Sequence, residues 1–374
     1  MAKDSRPTVL LTSGRIPPAI DLARSFAAAG WRVLVAESLP LHLALTSRAV
    51  ARCYRVPAPP GSPAEYLTAL ARIVEQETVS LVVPVSEETP YVVSLGEVLP
   101  TPIFGLPQAH VLALQSKVTF IERAAALGLA VPVTARAGSE EAAAISAAGP
   151  HVVKPEFGCG GKAVRFQPAG EDTGQHGDVI QARVQGEEVS AFAVARAGSM
   201  CAFVCYHGSV RHGTSAVAFE RIEHTAVRQW VEDFVAGTGH HGFIAFDFIL
   251  TEAGDVFAIE CNPRITSGVH FLQTEALAPL LLHGEPAPYS EARQLQEFWS
   301  CWTHWFASLR QPEERRRTGS ALRHARDVSW RRDDPFVFLL ATFSCAPILW
   351  RAARAGVSFG EVVMQDVQWQ PIRS

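Results

Sequence analysis

GFIAFDFILTEAGDVFAIECNPR, residues Gly242 to Arg264, reads as strand, turn and strand. Phe243–Thr251 and Val256–Asn262 are apolar runs on either side of Glu252-Ala253-Gly254-Asp255. A turn centred between Ala253 and Gly254 sets Asp247 directly opposite Glu260. Facing residues in an antiparallel pair have Cβ atoms about 4.5–5.5 Å apart, and like charges there are destabilising. Asn262 lies two residues beyond Glu260 and so shares its face. The other face is expected to be core, with Ile244, Phe246, Phe248, Leu250, Phe257 and Ile259, leaving Ala245 and Ala258 beside the acids. Two carboxylates and an amide are hard oxygen donors that suit Mg²⁺ (or Mn²⁺), which takes one or two carboxylates and completes its octahedron with phosphate oxygens and water. The competing reading is a solvated face whose acids are tied to Lys or Arg. Arg264, just past the second strand, offers a bidentate fork to a phosphate or acyl phosphate.

A second stretch precedes this hairpin. His151-Val-Val-Lys154-Pro155-Glu156-Phe157-Gly158-Cys159-Gly160-Gly161-Lys162 is a strand running into a glycine-rich loop. Glycines let backbone N–H groups approach and ring a phosphate. Glu156 and Ala163 occupy the first glycine and the hydroxyl position of a Walker A loop, so that motif is absent. Lys154 places an ammonium beside the loop. The N-terminal hundred residues alternate strands (Thr8–Leu11, Trp31–Ala36, Ser80–Val85) with helices (Pro18–Ala29, Pro63–Glu77), the order of a parallel sheet covered by helices. Ser13-Gly14-Arg15-Ile16-Pro17-Pro18 lacks the glycines of a dinucleotide fingerprint, so Glu37 alone does not make a ribose site.

Composition narrows the classes. The chain has 374 residues, 33 Lys+Arg against 37 Asp+Glu, and a formal net charge of −4. That balance, without a basic block, excludes nucleic acid as a partner. Seven scattered cysteines make no disulfide framework and read as reduced thiols of a cytoplasmic protein. Met1–Pro7 lacks the apolar core of a signal peptide. Pro335–Trp350 (PFVFLLATFSCAPILW) is almost wholly apolar but shorter than the roughly 20 residues of a spanning helix and interrupted by Pro347. It is expected to be a buried packing helix, the alternative being an interfacial or dimer-forming segment, with no stable membrane span and a homodimer left open. Phe298, Trp299, Trp302, Trp305 and Leu309 follow helical spacing and are expected in the core. His240-His241 before Gly242 reads as a helix exit capped by basic residues.

Taken in order, these motifs resemble the ATP-grasp superfamily, in particular its carbamoyl-phosphate-synthetase-like branch. The most specific part is the E-x-N-P-R box, Glu260 to Arg264, with an acid thirteen residues upstream. The resemblance covers roughly residues 1–280. It implies that Lys117 and Lys154 contact the phosphates of ATP and that Gly158, Gly160 and Gly161 belong to a mobile loop over them. Gln181, Ala182 and Val184 match the hinge whose backbone meets adenine, and Glu188 the acid that holds the ribose. Asp247, Glu260 and Asn262 match the metal ligands, and Arg264 and Lys154 the catalytic cations. Gln181 and Ala182 stand where charged side chains are common in the family, and Ala245 where some ligases carry an arginine.

The fold class implied is α/β: an N-terminal parallel-sheet domain (1–115), an ATP-grasp core of two α+β subdomains (116–284) and a helical, Trp-rich region (285–374). The activity implied is ATP-dependent joining of a small-molecule carboxylate to an amine, such as two amino acids, through an acyl phosphate. A carboxylate or carbamate kinase, and a non-catalytic nucleotide-binding or membrane-interface protein suggested by the Trp-rich C-terminal region, are the alternatives. Substrate-side candidates are Glu87 and Glu88 at the end of a sheet strand, where open α/β sheets bind ligands. Arg211 in its loop and Ser267 and His270 just after the metal box complete that set.

Overall fold

The structure is a computed structural model describing residues 5–158, 163–171, 174–212, 215–356, 362 and 366–369. The chain forms two compact units, one of Met1–Gln108, Gly208–Arg221 and Arg264–Ser374, the other of Ala109–His207 and Ile222–Pro263.

In the first unit four parallel strands lie in the order Arg52–Arg55, Arg32–Glu37, Thr8–Thr12, Leu81–Val83. Every residue of Thr8–Thr12 is buried, as a parallel strand covered on both faces requires. Helices Pro17–Ala28 and Pro63–Glu77 both carry proline in the first turn, where its fixed φ suits the helix and its missing N–H costs nothing. Leu70, Ile73 and Val74 of the second helix pack on Leu10, Leu34 and Val82. The strand Arg52–Arg55 gives no apolar signal because it is an edge, and its two exposed arginines blunt that edge against further pairing.

The rest of this unit departs from expectation. Helix Phe298–Ala307 forms, but its buried residues are Cys301 and His304, while Trp302 is 41% and Leu309 56% exposed. The apolar run is not one buried helix. It breaks at Leu340 into Phe336–Leu339 and Ala341–Ala355. Val337, Ala341 and Ile348 are buried, whereas Phe336, Leu339, Leu340, Phe343, Leu349 and Trp350 are 37–69% exposed. Among the described residues no helix is long and apolar enough to cross a membrane.

The second unit holds two α+β layers. In one, antiparallel strands run in the order Thr134–Arg136, Asp178–Ala182, His151–Pro155, Arg165–Gln167. Ala142 and Ile145 of helix Glu140–Ala148 pack there against Val153 and Ile180. In the other, Val256–Asn262, Gly242–Leu250, Glu187–Arg196 and Ser199–His212 follow one another antiparallel. Helices Lys117–Ala126 and Thr225–Thr238 close its core, with Trp230 stacked 5.4 Å from Phe234 and edge-on to Phe246 and Phe248.

His240 is not a solvent-side cap. Gly239, left-handed at φ 62°, ends the helix, and His240 is buried with Nε2 3.2 Å from the Phe243 carbonyl. Burial pushes the imidazole down to about 4. The unfolded chain, with an ordinary His pKa of about 6.5, therefore takes the proton first as pH falls. The neutral imidazole's contribution is complete above about pH 6.5 and is lost toward pH 4, up to about 3 kcal/mol in all. In urea unfolding, the stability advantage of the wild type over His240→Asn is expected to be largest at pH 7 and to shrink steadily below pH 6.

Candidate active site

The hairpin places the paired acids as the sequence requires, by a route the sequence does not show. Asp247 lies opposite Glu260, and Ala245 opposite Asn262. The turn, closed by the Thr251 N–H donating to the Asp255 carbonyl at 3.0 Å, is centred on Ala253. Phe248 therefore faces Ala258, and the register slips by one at Ile259 before Asp247 and Glu260 meet. This β-bulge corrects the face assignment: Val256, Ala258 and Cys261 join the core, while Phe257 and Ile259 are half-buried outside it. A bulge leaves its extra residue outside the ladder. The Ile259 carbonyl accepts a hydrogen bond from Lys154 Nζ at 3.0 Å.

Across the sheet the acids fall in one row. Ser190 is paired with Asp247 on the neighbouring strand, and its hydroxyl donates to Asp247 Oδ1 at 2.7 Å. No motif marks Ser190, but it lies two residues beyond Glu188 and so shares its face. Glu188 stands opposite Ile249, exposed, at the open end of that face.

Two lysines meet the carboxylates. Lys117, at the first position of its helix behind the Ser116 cap, is buried. Its Nζ lies 3.5 Å from Glu260 Oε2 and donates to the Gly158 carbonyl at 3.0 Å. Lys154 is also buried; desolvation lowers its pKa to about 8, with the Glu260 charge opposing that fall and the Lys117 charge adding to it. Beneath them Glu156 accepts from Ser116 and from Arg136, whose Nη2 is 2.9 Å away. Burial alone would raise the Glu156 carboxyl, but these donors and the charge of Lys117 hold it below its ordinary value. The chain's lysines are Lys3, Lys117, Lys154 and Lys162. Lys3 and Lys162 lie outside the described residues, as do Gly160 and Gly161.

Gln181 is buried mid-sheet, and its side chain donates to Thr134 Oγ1 at 2.9 Å, so that side chain serves the fold. The Ala182 N–H goes to the Val133 carbonyl and the Arg183 N–H to Pro150; the chain leaves the strand before Val184.

The remaining candidates belong to the first unit. Arg264 Nε lies 2.6 Å from Glu87 Oε1, which ties two of them together. Glu88 is buried and its Oε1 is engaged inside the protein. It accepts from Thr12 and from the N–H groups of Val85 and Ser86, both at 3.1 Å, and burial raises its pKa despite them. His270 is buried with Nδ1 2.6 Å from Asp21 Oδ2, a partner 249 positions away that no local signal marks. Ser267 opens the short helical turn Ser267–Phe271, and Arg211 is exposed on the strand Ser199–His212.

Two α+β subdomains, one presenting a lysine strand and the other a strand pair with facing acids, define the ATP-grasp architecture. Residues 114–268 match the ATP-grasp domain family, and this part of the chain is an ATP-grasp domain. No curated protein sequence matches the chain. Among solved structures it is similar to an N5-carboxyaminoimidazole ribonucleotide synthetase in its ADP complex (14% identity, 84% of this chain and 87% of that one, TM-score 0.64). It is also similar to L-amino acid ligase from Bacillus licheniformis (17% identity, 75% of each chain, TM-score 0.57). A third is pyruvate carboxylase from Rhizobium etli (16% identity, TM-score 0.58); there the match covers 70% of this chain but only 27% of the longer enzyme. At these identities the likeness is one of fold.

Proposed function

We propose that the chain is an ATP-dependent carboxylate–amine ligase that joins two small molecules, such as amino acids, through an acyl phosphate. The observation that carries this reading is the facing of Asp247 and Glu260, with Asn262 on the same face and two buried lysines against them. Like charges held opposite each other cost stability, and an arrangement that keeps them is explained by a cation they share. Hard oxygen donors in this set fit Mg²⁺. Bound by Asp247, Glu260 and Asn262, the ion would neutralise charge on the β- and γ-phosphates of ATP.

The chain's own residues supply the rest. Lys117 and Lys154 contact phosphate oxygens. The backbone of Ala182 to Val184 meets adenine, and Glu188 accepts from the ribose hydroxyls. The substrate carboxylate attacks the γ-phosphorus and releases ADP; the amine then attacks the acyl carbon, phosphate leaves, and the nitrogen gives up its proton. Arg264, steadied by Glu87, offers its guanidinium to the carboxylate that becomes phosphorylated, while Arg211, Ser267 and His270 belong to substrate recognition. Catalysis is positioning and charge neutralisation. The L-amino acid ligase among the similar structures favours amino acids as the substrate class.

The test is an ADP-release screen over pairs of amino acids and related acids with Mg²⁺. ADP formed only when acid and amine are both present is the expected result; ADP formed with the acid alone would make the enzyme a carboxylate kinase. Lys154→Met is expected to raise the KM for ATP at least tenfold while leaving the thermal midpoint nearly unchanged, because a thioether side chain needs no ionic partner in that buried position.

A further inference from the structure

Helix Phe298–Ala307, the turn after it and the two helices that follow Pro335 carry large apolar side chains that stay well exposed, two of them beneath a cation: Arg48 lies 5.6 Å over the Phe336 ring and Arg354 5.3 Å over that of Trp350. Phe306, Leu309, Phe336, Leu339, Phe343 and Trp350 are each 45–69% exposed. Helix Ala341–Ala355 is apolar on two sides, with Ala341, Ile348 and Ala352 packed inward and Phe343 and Trp350 outward.

Next to this face lies a cleft of about 460 Å³. Trp305 and Leu309 line it together with Arg315, Arg316, Arg323 and His324, and no acidic residue is in the lining among the described residues. Trp305 and Leu309 belong to both features: the Trp305 ring is 5.0 Å from Phe306, and the Arg315 guanidinium sits 4.5 Å over Trp305. The acids of this arginine helix, Glu313 and Glu314, stand in its first turn, and Glu314 is 2.9 Å from His304.

We propose that this face docks on an anionic lipid surface, the aromatic and aliphatic side chains entering the interface and Arg315, Arg316 and Arg323 meeting lipid phosphates. Charge selects the occupant. A twofold contact with a second copy joins a patch to itself and brings an arginine wall toward its own kind. An anionic bilayer offers the complementary sign, and a Trp, Phe and Leu face bordered by basic residues is the pattern that lies in a membrane interface.

The experiment uses the full chain with vesicles of phosphatidylcholine alone or with 30% phosphatidylglycerol, sedimented at low and high salt. Binding to the anionic vesicles only, weakened by salt, with a blue shift of tryptophan fluorescence, is expected. The double variant Arg316→Glu, Arg323→Glu and, separately, Phe343→Ser with Trp350→Ser should each weaken binding at least tenfold. All four positions are exposed, so circular dichroism and thermal midpoints should match the wild type. Soluble glycerophosphoglycerol should not displace the vesicles. Displacement by it, or insensitivity to the Phe343/Trp350 pair, would leave an anion site and overturn the lipid surface. A stable dimer that ignores vesicles and dissociates on the same aromatic substitutions would overturn it in favour of a self-interface. Neither result touches the ligase reading, which rests on other residues.

Discussion

Asp247→Asn or Glu260→Gln is expected to reduce Mg²⁺-dependent ADP formation by about 10³-fold or more, some 4 kcal/mol of transition-state stabilisation. Each change keeps shape and hydrogen-bonding capacity and removes one charge. The site holds two carboxylates against two lysines, and in the proposed reading both acids would be needed to hold the divalent cation beside ATP. Stability should move the other way. The two acids face each other on adjacent strands, so Asp247→Asn relieves repulsion, whereas Glu260 also offsets Lys117 3.5 Å away and Glu260→Gln should gain less. A thermal midpoint equal to or above wild type, together with lost turnover, is the signature of a functional rather than structural pair. Near-normal turnover in both variants would remove the metal assignment. Excess Mn²⁺ should restore part of the rate in Glu260→Gln, since a donor set missing one charge is short of affinity.

Gly186→Ala is expected to unfold the nucleotide unit more readily than any single surface change. A Cβ at Gly186 would lie 2.0 Å from the Leu250 carbonyl oxygen and 2.7 Å from its carbon. Both are backbone atoms, so no side chain can turn aside. Leu250 ends the Asp247 strand where it faces Glu187, and the clash would drive these two strands apart. A cost of about 3 kcal/mol or more follows, beyond the usual penalty of overpacking, because backbone has to move. Differential scanning calorimetry should show the lower transition falling by several degrees. ATP affinity should fall with it, since Glu188 and Ser190 ride on the displaced strand. An unchanged midpoint would mean that this strand contact is not built as described.

Much of this arrangement was legible because acids inside an otherwise apolar hairpin are rare and the alternation is strong. The register at Asp247 and Glu260 came out right through two departures that cancel: a turn centred half a residue earlier and a bulge at Ile259. Alternation cannot reveal a bulge, since one extra residue only shifts the phase, and so Phe257 and Ile259 were placed on the wrong face. The N-terminal parallel sheet was readable from its continuous apolar runs; its edge strand, with arginine at both ends, was not. Ser190 was within reach of the same alternation. The Asp21–His270 contact was beyond it, because only the folded chain brings together residues that far apart. For helix Phe298–Ala307 the spacing correctly grouped the aromatics on a helix, yet spacing says nothing about what lies against them.

The two buried lysines of the site have a practical consequence for anyone handling the protein. Apart from Lys3 and Lys162, they are the only side-chain primary amines in the sequence, the other cations being arginines. Amine-directed reagents thus have few targets besides the nucleotide pocket. Succinimidyl dyes or resins that reach Lys117 and Lys154 will damage the proposed site, and ATP should slow that reaction. Glutaraldehyde will find few amines between neighbouring copies, so a blank cross-linking gel carries no information about assembly. Mass measurement should count the copies, and arginine-directed glyoxals should map the outer surface.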